Sequence, residues 1–431
     1  MNRSEAKSEL TCPNCFKLSL TISSRDKHSR QCRDKNTIPT RWIHIYPSKS
    51  HSSNISTNPI KDFLNSLNSK KITWQSGSII LPVNRESLFD DSLEALKNLS
   101  EDSWFKEFNV TFINEEGNDA GGLTKEWFDL VMREFFIREY FVRTVTGDGV
   151  YSIPTLQDPS TAVNYYVFGK LMGKVLLEKQ IGYCKLHKLI FKQILGKKVE
   201  FEDLKEFDKE YYEGLLQYKE VDVNQIGDFY FCVEKNVGGQ KVLFDLKEDG
   251  RRIPVDNGNK IEYIELLAAF EMSNGIRNSL KSLIKGFHSV VDPQLLSRIG
   301  WNELSGLING QEKVNVDELQ NYTEYKGEYN SNHPVIFGFW KILKEWDQDR
   351  LKKFLQFVLG SSSVPLQGFS ELKTVRGENC RFNIVSIPED NGYPKAHTCF
   401  NRLELQVNPD EALMKKRLEF LTSQTFRYYL N

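Results

Sequence analysis

The stretch "PSKSHSSNISTNP", residues 47–59, holds five serines and almost nothing apolar. Such a segment has too little to bury to join a core and reads as a flexible linker. A chain divided this way must fold in at least two parts. The parts differ in charge. Residues 1–51 carry ten Lys/Arg against four Asp/Glu, whereas the rest carries 47 against 54, so a net charge of −1 conceals a basic end. At 431 residues and 39% hydrophobic, the larger part can bury substantial cores. Mean hydropathy is −0.47, and no apolar run approaches the roughly 20 residues of a membrane span. "MNRSEAKSEL" lacks the apolar centre of a secretion signal. The expectation is a soluble protein of the cytoplasm or nucleus with no membrane partner.

The basic end contains "CPNCFKLSLTISSRDKHSRQC", which places Cys12, Cys15, His28 and Cys32 at the spacing of a four-ligand zinc site. A segment of this size cannot bury enough apolar surface to fold alone, so bound Zn2+ would supply much of its folding free energy. The expected units are a finger over 8–36, a linker over 37–61 and a large domain over 62–431.

That large domain is patterned mostly for helix. "RESLFDDSLEALKNL" sets Leu88, Phe89, Leu93, Leu96 and Leu99 near a 3.6-residue period, and "NVTFI" alternates like a short strand. In "NEEGNDAGGLTKEWFDLVMREFF" the glycines make a turn, after which Leu123, Trp127, Leu130, Val131 and Phe135 line one helix face. Lysine and threonine do not follow the glycine as a phosphate-binding loop requires, so a structural turn is the reading. "DFYFCVEKNVGGQKVLFDL" predicts a hairpin about Gly238 and Gly239. "NHPVIFGFWKILKEWDQDRLKKFLQFVLG" predicts two helices, with Pro334 in a first turn and Gly360 as a C-terminal cap. "GEYNSN" before them reads as a hinge, and "LELQV" near the end as a half-buried strand.

Seven cysteines at irregular spacing suit reduced thiols. Cys184, Cys232 and Cys380 read as small buried hydrophobes. Cys399, in "YPKAHTCFNRLELQV", sits on a loop entering the strand, beside His397 and Thr398. An exposed thiol there could react, or be inert. Every histidine lies upstream of it, against a papain-like hydrolase, in which the base usually follows the cysteine. Acyl transfer through a thioester asks less of a base and more of exposure and positioning.

"AHTCFNRLEL" resembles the active-site signature of HECT-type ubiquitin ligases. "LFDDSLEAL", "FGKLMGKVLLEKQ", "LKEDGRRIPVDNGNKIEYIEL", "NELSGLINGQEKVNVDEL" and "FLQFVLGSSSVPLQGF" fall in that family's order, so the resemblance covers about residues 75–431. It implies an α+β, bilobal HECT domain: an N-lobe over about 62–327 with a β-containing subdomain, a hinge over 327–332 and a C-lobe over 333–431. It also implies an activity. Cys399 would take ubiquitin as a thioester from a conjugating enzyme (E2) and pass it to a lysine of a protein substrate, with His397 and Thr398 shaping the loop. Phe426 matches a phenylalanine that positions transfer, although the tail around it is short and lacks the usual glycine. Leu215, Leu216 and Tyr218 match the E2-docking residues, with ordinary core the rival reading for the leucines. Tyr151 falls near an aromatic position of a ubiquitin exosite. The finger resembles ubiquitin-binding Cys-Cys-His-Cys fingers. Nucleic-acid contact through Arg25, Lys27, Arg30, Arg33 and Lys35 is its less favoured rival. An inactive ubiquitin-binding adaptor, and behind it a cysteine hydrolase, are the alternative functions.

Overall fold

The computed structural model describes residues 58–424, apart from short breaks at 73, 115–121, 147–148, 156–158, 238, 312, 375–378, 389–391 and 408–409, together with a two-residue strand pair at Leu10–Thr11 and Leu18–Ser19. The expected zinc ligands Cys12, Cys15, His28 and Cys32, the linker serines up to residue 57 and Phe426 lie outside the described residues. No helix among the described residues is long and apolar enough to cross a membrane.

The longer elements run α1 (Pro59–Asn68), β1 (Ile79–Val83), α2 (Leu88–Lys97), β2 (Phe108–Phe112), α3 (Gly122–Ile137), α4 (Ala162–Leu177), α5 (Lys209–Glu220), β3 (Cys232–Val237), β4 (Gln240–Asp245), α6 (Lys260–Met272), α7 (Arg277–Val290) and α8 (Trp301–Asn309). They continue as α9 (Val316–Asn321), β5 (Glu324–Lys326), α10 (Pro334–Lys344), α11 (Gln348–Leu359), β6 (Asn383–Ile387), β7 (Lys395–His397), β8 (Arg402–Gln406) and α12 (Glu411–Gln424). Helix and sheet are mixed, as an α+β chain requires.

Three apolar clusters organise these elements. The first runs from Phe63 to Ile308 and is built around α3, α4 and α7. Gly169 and Gly286 let α4 and α7 cross closely, since a Cβ on either would run into the Leu283 or Tyr166 carbonyl of the facing helix. The second cluster, from Leu189 to Met272, sits under α5, α6 and the β3–β4 hairpin. The third begins at Val314 and ends at Leu418. There α10, α11 and α12 pack together, α11 lying on a sheet ordered β7-β8-β6-β5. β6 pairs in parallel with β8 (Ile384 opposite Leu403) and β5 (Ile384 opposite Tyr325), while β7 runs antiparallel to β8.

The helices and strands expected from periodicity appear. Pro334 opens α10 behind the His333 N-cap, and Gly360 closes α11 in the left-handed region. Three expectations need correction. Segment 327–332 is no connector between cores: Tyr329 is buried in the third cluster, and its hydroxyl donates to the carbonyls of Leu405 (3.0 Å) and Gln406 (2.8 Å). The first cluster ends at Ile308 and the third begins at Val314, so the chain changes core across 309–313. Cys184 is fully buried as expected, but Cys232 and Cys380 are half-buried, each having one side towards solvent. In β8, Leu403 and Leu405 are buried and Val407, just past the strand, is half-buried. Gln406 is buried too because β8 is an inner strand of its sheet.

Candidate active site at the Cys399 hairpin

Cys399 lies on the single helical turn Thr398–Phe400 that joins β7 to β8. The register pairs His397 with Arg402, leaving room for a tight tip only. Asn401 closes the tip in the left-handed conformation (φ 46°), which asparagine tolerates better than most side chains. It is also completely buried. Its amide donates to the carbonyls of Cys380 (2.7 Å) and Lys373 (3.3 Å), and its own carbonyl accepts from Asn383 N (2.9 Å). The tip is therefore held from below, while Cys399 stays half-buried and Phe400 is 49% exposed.

The hairpin meets α3, an element of the other core. Gly122 N–H donates to Cys399 Sγ at 3.1 Å. The first N–H groups of a helix have no partner inside it, so α3 offers a free donor and the positive end of its dipole to the sulfur. Glycine is required at 122: a Cβ would overlap Thr398 Oγ1 and stand 3.0 Å from Sγ. One turn on, Lys125 Nζ donates to Lys373 O (3.1 Å) and Asn401 Oδ1 (3.4 Å). Burial lowers the Lys125 pKa to about 8, opposed by the nearby thiols of Cys399 and Cys380. Two turns further, Arg133 is aligned by Asp129 (2.6 Å) and donates to Ser362 Oγ (3.0 Å) in the loop after α11. α3 is itself fixed, because Thr124 Oγ1 accepts from Val110 N (3.1 Å) in β2 and Trp127 Nε1 donates to Ser92 (2.8 Å) in α2. Beyond this polar seam, a cleft of about 670 Å³ opens between the cores, lined by Ile60, Leu64, Lys179, Leu366 and Lys373 among others.

His397 points its Nε2 at the Glu404 carboxylate (3.0 Å) across the hairpin. Its ring is engaged there rather than with the sulfur. Thr398 instead fills the space over Gly122. The other expected site residues lie on other elements. On α5, Leu215 is buried in the second cluster and Leu216 is 37% exposed. Tyr218 is half-buried with its ring against Phe229 and Tyr263. Tyr151, on the short strand Tyr151–Ser152, stands edge-on to Phe136 at 5.0 Å and accepts from Arg143 Nε at 3.4 Å. Sequence reasoning missed Gly122, Lys125 and Asn401. It read the "GGLTK" glycines as a structural turn, though a glycine opening a helix with a lysine at i+3 is the only mark a first-turn docking seat leaves.

Residues 129–429 match the family described as HECT-domain (ubiquitin-transferase). The chain belongs to the HECT-domain family. Among its relatives, a TOM1-like E3 ubiquitin-protein ligase of Neurospora crassa is 35% identical over 350 residues, covering 80% of this chain and 8% of the relative. The mouse E3 ubiquitin-protein ligase HUWE1 is 36% identical over 329 residues, covering 75% of this chain and 8% of the relative. The E3 ubiquitin-protein ligase pub1 of Schizosaccharomyces pombe is 29% identical over 358 residues, covering 82% and 46%. The chain thus spans about a tenth of the length of the first two relatives, and it is the HECT region that they share with it.

Proposed function

We propose that this HECT-domain protein is an E3 ubiquitin ligase in which Cys399 carries ubiquitin as a thioester. The observation that carries the reading is the placement of Cys399, half-buried at a hairpin tip, at the boundary between two separately cored parts of the chain. In the first step the Cys399 thiolate attacks the thioester carbonyl carbon joining ubiquitin to a conjugating enzyme. A new C–S bond forms, and the conjugating enzyme's thiolate leaves. In the second step a substrate lysine amine attacks the new thioester, Cys399 leaves as thiolate, and the amine's proton passes to solvent as the isopeptide bond forms. The first exchange is nearly isoenergetic and the second runs downhill, so positioning matters more than a strong dedicated base. His397 and Thr398 shape the tip in this reading, and Phe426 positions the second step.

The parts around 62–308 and 314–424 act as the two lobes, and the connector at 309–313 lets the Cys399 lobe turn between partners. The conjugating enzyme docks on the subdomain around α5, where Leu216, Val221, Ile226 and Tyr230 are each at least 37% exposed and form the kind of apolar surface a transient partner covers. Ubiquitin itself has a second contact near Tyr151. The spacing of Cys12, Cys15, His28 and Cys32 supports a zinc finger that holds ubiquitin near the ligase, in a protein of the cytoplasm or nucleus. Native mass spectrometry of the full chain and of a Cys12→Ser/Cys15→Ser variant tests the zinc.

The deciding assay mixes the protein with activating enzyme, a panel of conjugating enzymes, ATP and ubiquitin. A reductant-sensitive ubiquitin adduct should form and be absent in Cys399→Ala. No adduct with any member of the panel would overturn the reading in favour of a non-catalytic adaptor.

A further inference from the structure

α3 presents two faces to two different parts of the chain. Trp127, Val131 and Phe135 enter the first core. Gly122, Lys125, Asp129 and Arg133, at i, i+3, i+7 and i+11, form a second stripe. Three of its members bond directly to the Cys399 part, and Asp129 aligns Arg133. Helix stripes at this spacing normally bury apolar side chains, whereas this one joins two cores through a few polar bonds. Leu366 adds an apolar contact with the first core nearby, but within the stripe one member is pivotal. Lys125 alone reaches both the Lys373 carbonyl and the Asn401 side chain, the two groups that also fix the left-handed turn just after Cys399. Gly360 lies beside the same groups: a Cβ there would only touch the Thr398 and Lys125 Cβ atoms (3.5 and 3.6 Å), so its left-handed backbone rather than crowding calls for glycine.

We propose that Lys125 is a positioning residue: by clamping Asn401 and the Lys373 carbonyl to the first turn of α3, it sets the Cys399 tip where Gly122 N–H meets the sulfur. The ammonium does not touch the reacting atoms and takes no proton in the reaction. It selects the closed arrangement of the two parts from those the connector allows, and so governs how often Cys399 reaches a fixed geometry rather than how tightly partners bind. The proposal rests on the reading of Cys399 as the ubiquitin carrier for its kinetic consequence, but its structural consequence stands without it.

Both consequences are measurable on the full chain. Gly122 N–H is a first-turn donor that would exchange rapidly with solvent if only its own helix were present. Site-resolved hydrogen exchange should find it slowed at least tenfold in the wild type relative to Lys125→Met. Lys125→Arg, which keeps a charged donor of similar reach, should restore protection to within about threefold. In turnover, Lys125→Met should lower kcat about tenfold and leave the KM for charged conjugating enzyme within twofold, with Lys125→Arg again restoring the rate. An unprotected Gly122 amide in the wild type would overturn the proposal without any variant having to fold. So would Lys125→Arg as impaired as Lys125→Met, or Lys125→Met with unchanged exchange and kcat. A wild type that forms no thioester at all would instead defeat the functional reading, leaving the exchange result to decide the clamp.

Discussion

Gly122 and Cys399, 277 positions apart, meet through one N–H···S hydrogen bond of 3.1 Å, and the missing side chain at 122 is what allows it. Alanine is the better helix former by about 1 kcal/mol in a helix interior. Here its Cβ would overlap Thr398 Oγ1 and force the hairpin tip off the helix, at the roughly 1–3 kcal/mol that overpacking costs. Gly122→Ala should therefore fold with an unchanged melting temperature for the α3 core while isopeptide formation slows about tenfold. Adding Thr398→Ala removes the nearest obstacle and should recover part of the rate. A Gly122→Ala variant at full speed would show that the contact plays no part in transfer.

Leu215 and Leu216 are neighbours with opposite fates on α5. Leu215 lies in the second core, so Leu215→Ala should destabilise by about 2–4 kcal/mol in urea unfolding, as large-to-small core changes do. Leu216 is 37% exposed, so Leu216→Ala should leave unfolding within about 0.5 kcal/mol. In a titration with charged conjugating enzyme it should raise KM about fivefold at constant kcat. If Leu216→Ala leaves KM unchanged, the docking surface lies elsewhere.

What the sequence made legible was whatever repeats or alternates. The α10 and α11 helices, with their Pro334 opening and Gly360 cap, follow from period and end signals acting within a few residues. The hinge did not follow. "GEYNSN" is polar and turn-prone, yet Tyr329 among those polar residues anchors the segment in the third core through two carbonyls more than seventy positions away. "GQEKV", where the chain does change core, has no more linker character than many surface loops. The signature singled out Cys399 as the candidate carrier, whereas its seat against Gly122 left no such mark. Gly122, Lys125 and Asn401 matter through contacts across 276 or more positions or through a buried left-handed turn, and neither leaves a local period.

The Lys125 amine makes the closed arrangement pH-dependent in a direction opposite to that of an ordinary ion pair. Its ordinary pKa of 10.5 falls to about 8 in the folded chain, so between those values the unfolded chain binds more protons. The burial penalty is fully present below pH 8 and is relieved as pH rises towards 10.5. Cys399 and Cys380 face the same amine, and negative charge on either sulfur would hold its proton on; Lys179 and Lys373 line the groove beside it. Urea midpoints of the wild type and Lys125→Met, compared at pH 7.5 and 9.5, should shift in favour of the wild type at the higher pH. A constant difference would mean the amine is solvated in the folded chain.

Tyr329 separates the two placements of the flexible connector. If 327–332 were the hinge, removing the Tyr329 hydroxyl would alter lobe motion and hence the transfer rate, with little effect on stability. The hydroxyl instead donates to two carbonyls at the end of β8, inside the third core. Tyr329→Phe should lower stability by about 1 kcal/mol, the net worth of a typical buried hydrogen bond. Tyr329→Ala should lower it by about 3–5 kcal/mol through the cavity it leaves. Per folded molecule, transfer by Tyr329→Phe should stay within twofold of wild type. Lys313→Pro, in the segment where the chain passes between cores, should do the reverse, slowing transfer several-fold with stability held within about 1 kcal/mol. Full transfer by Lys313→Pro together with a slowed Tyr329→Phe would return the hinge to 327–332.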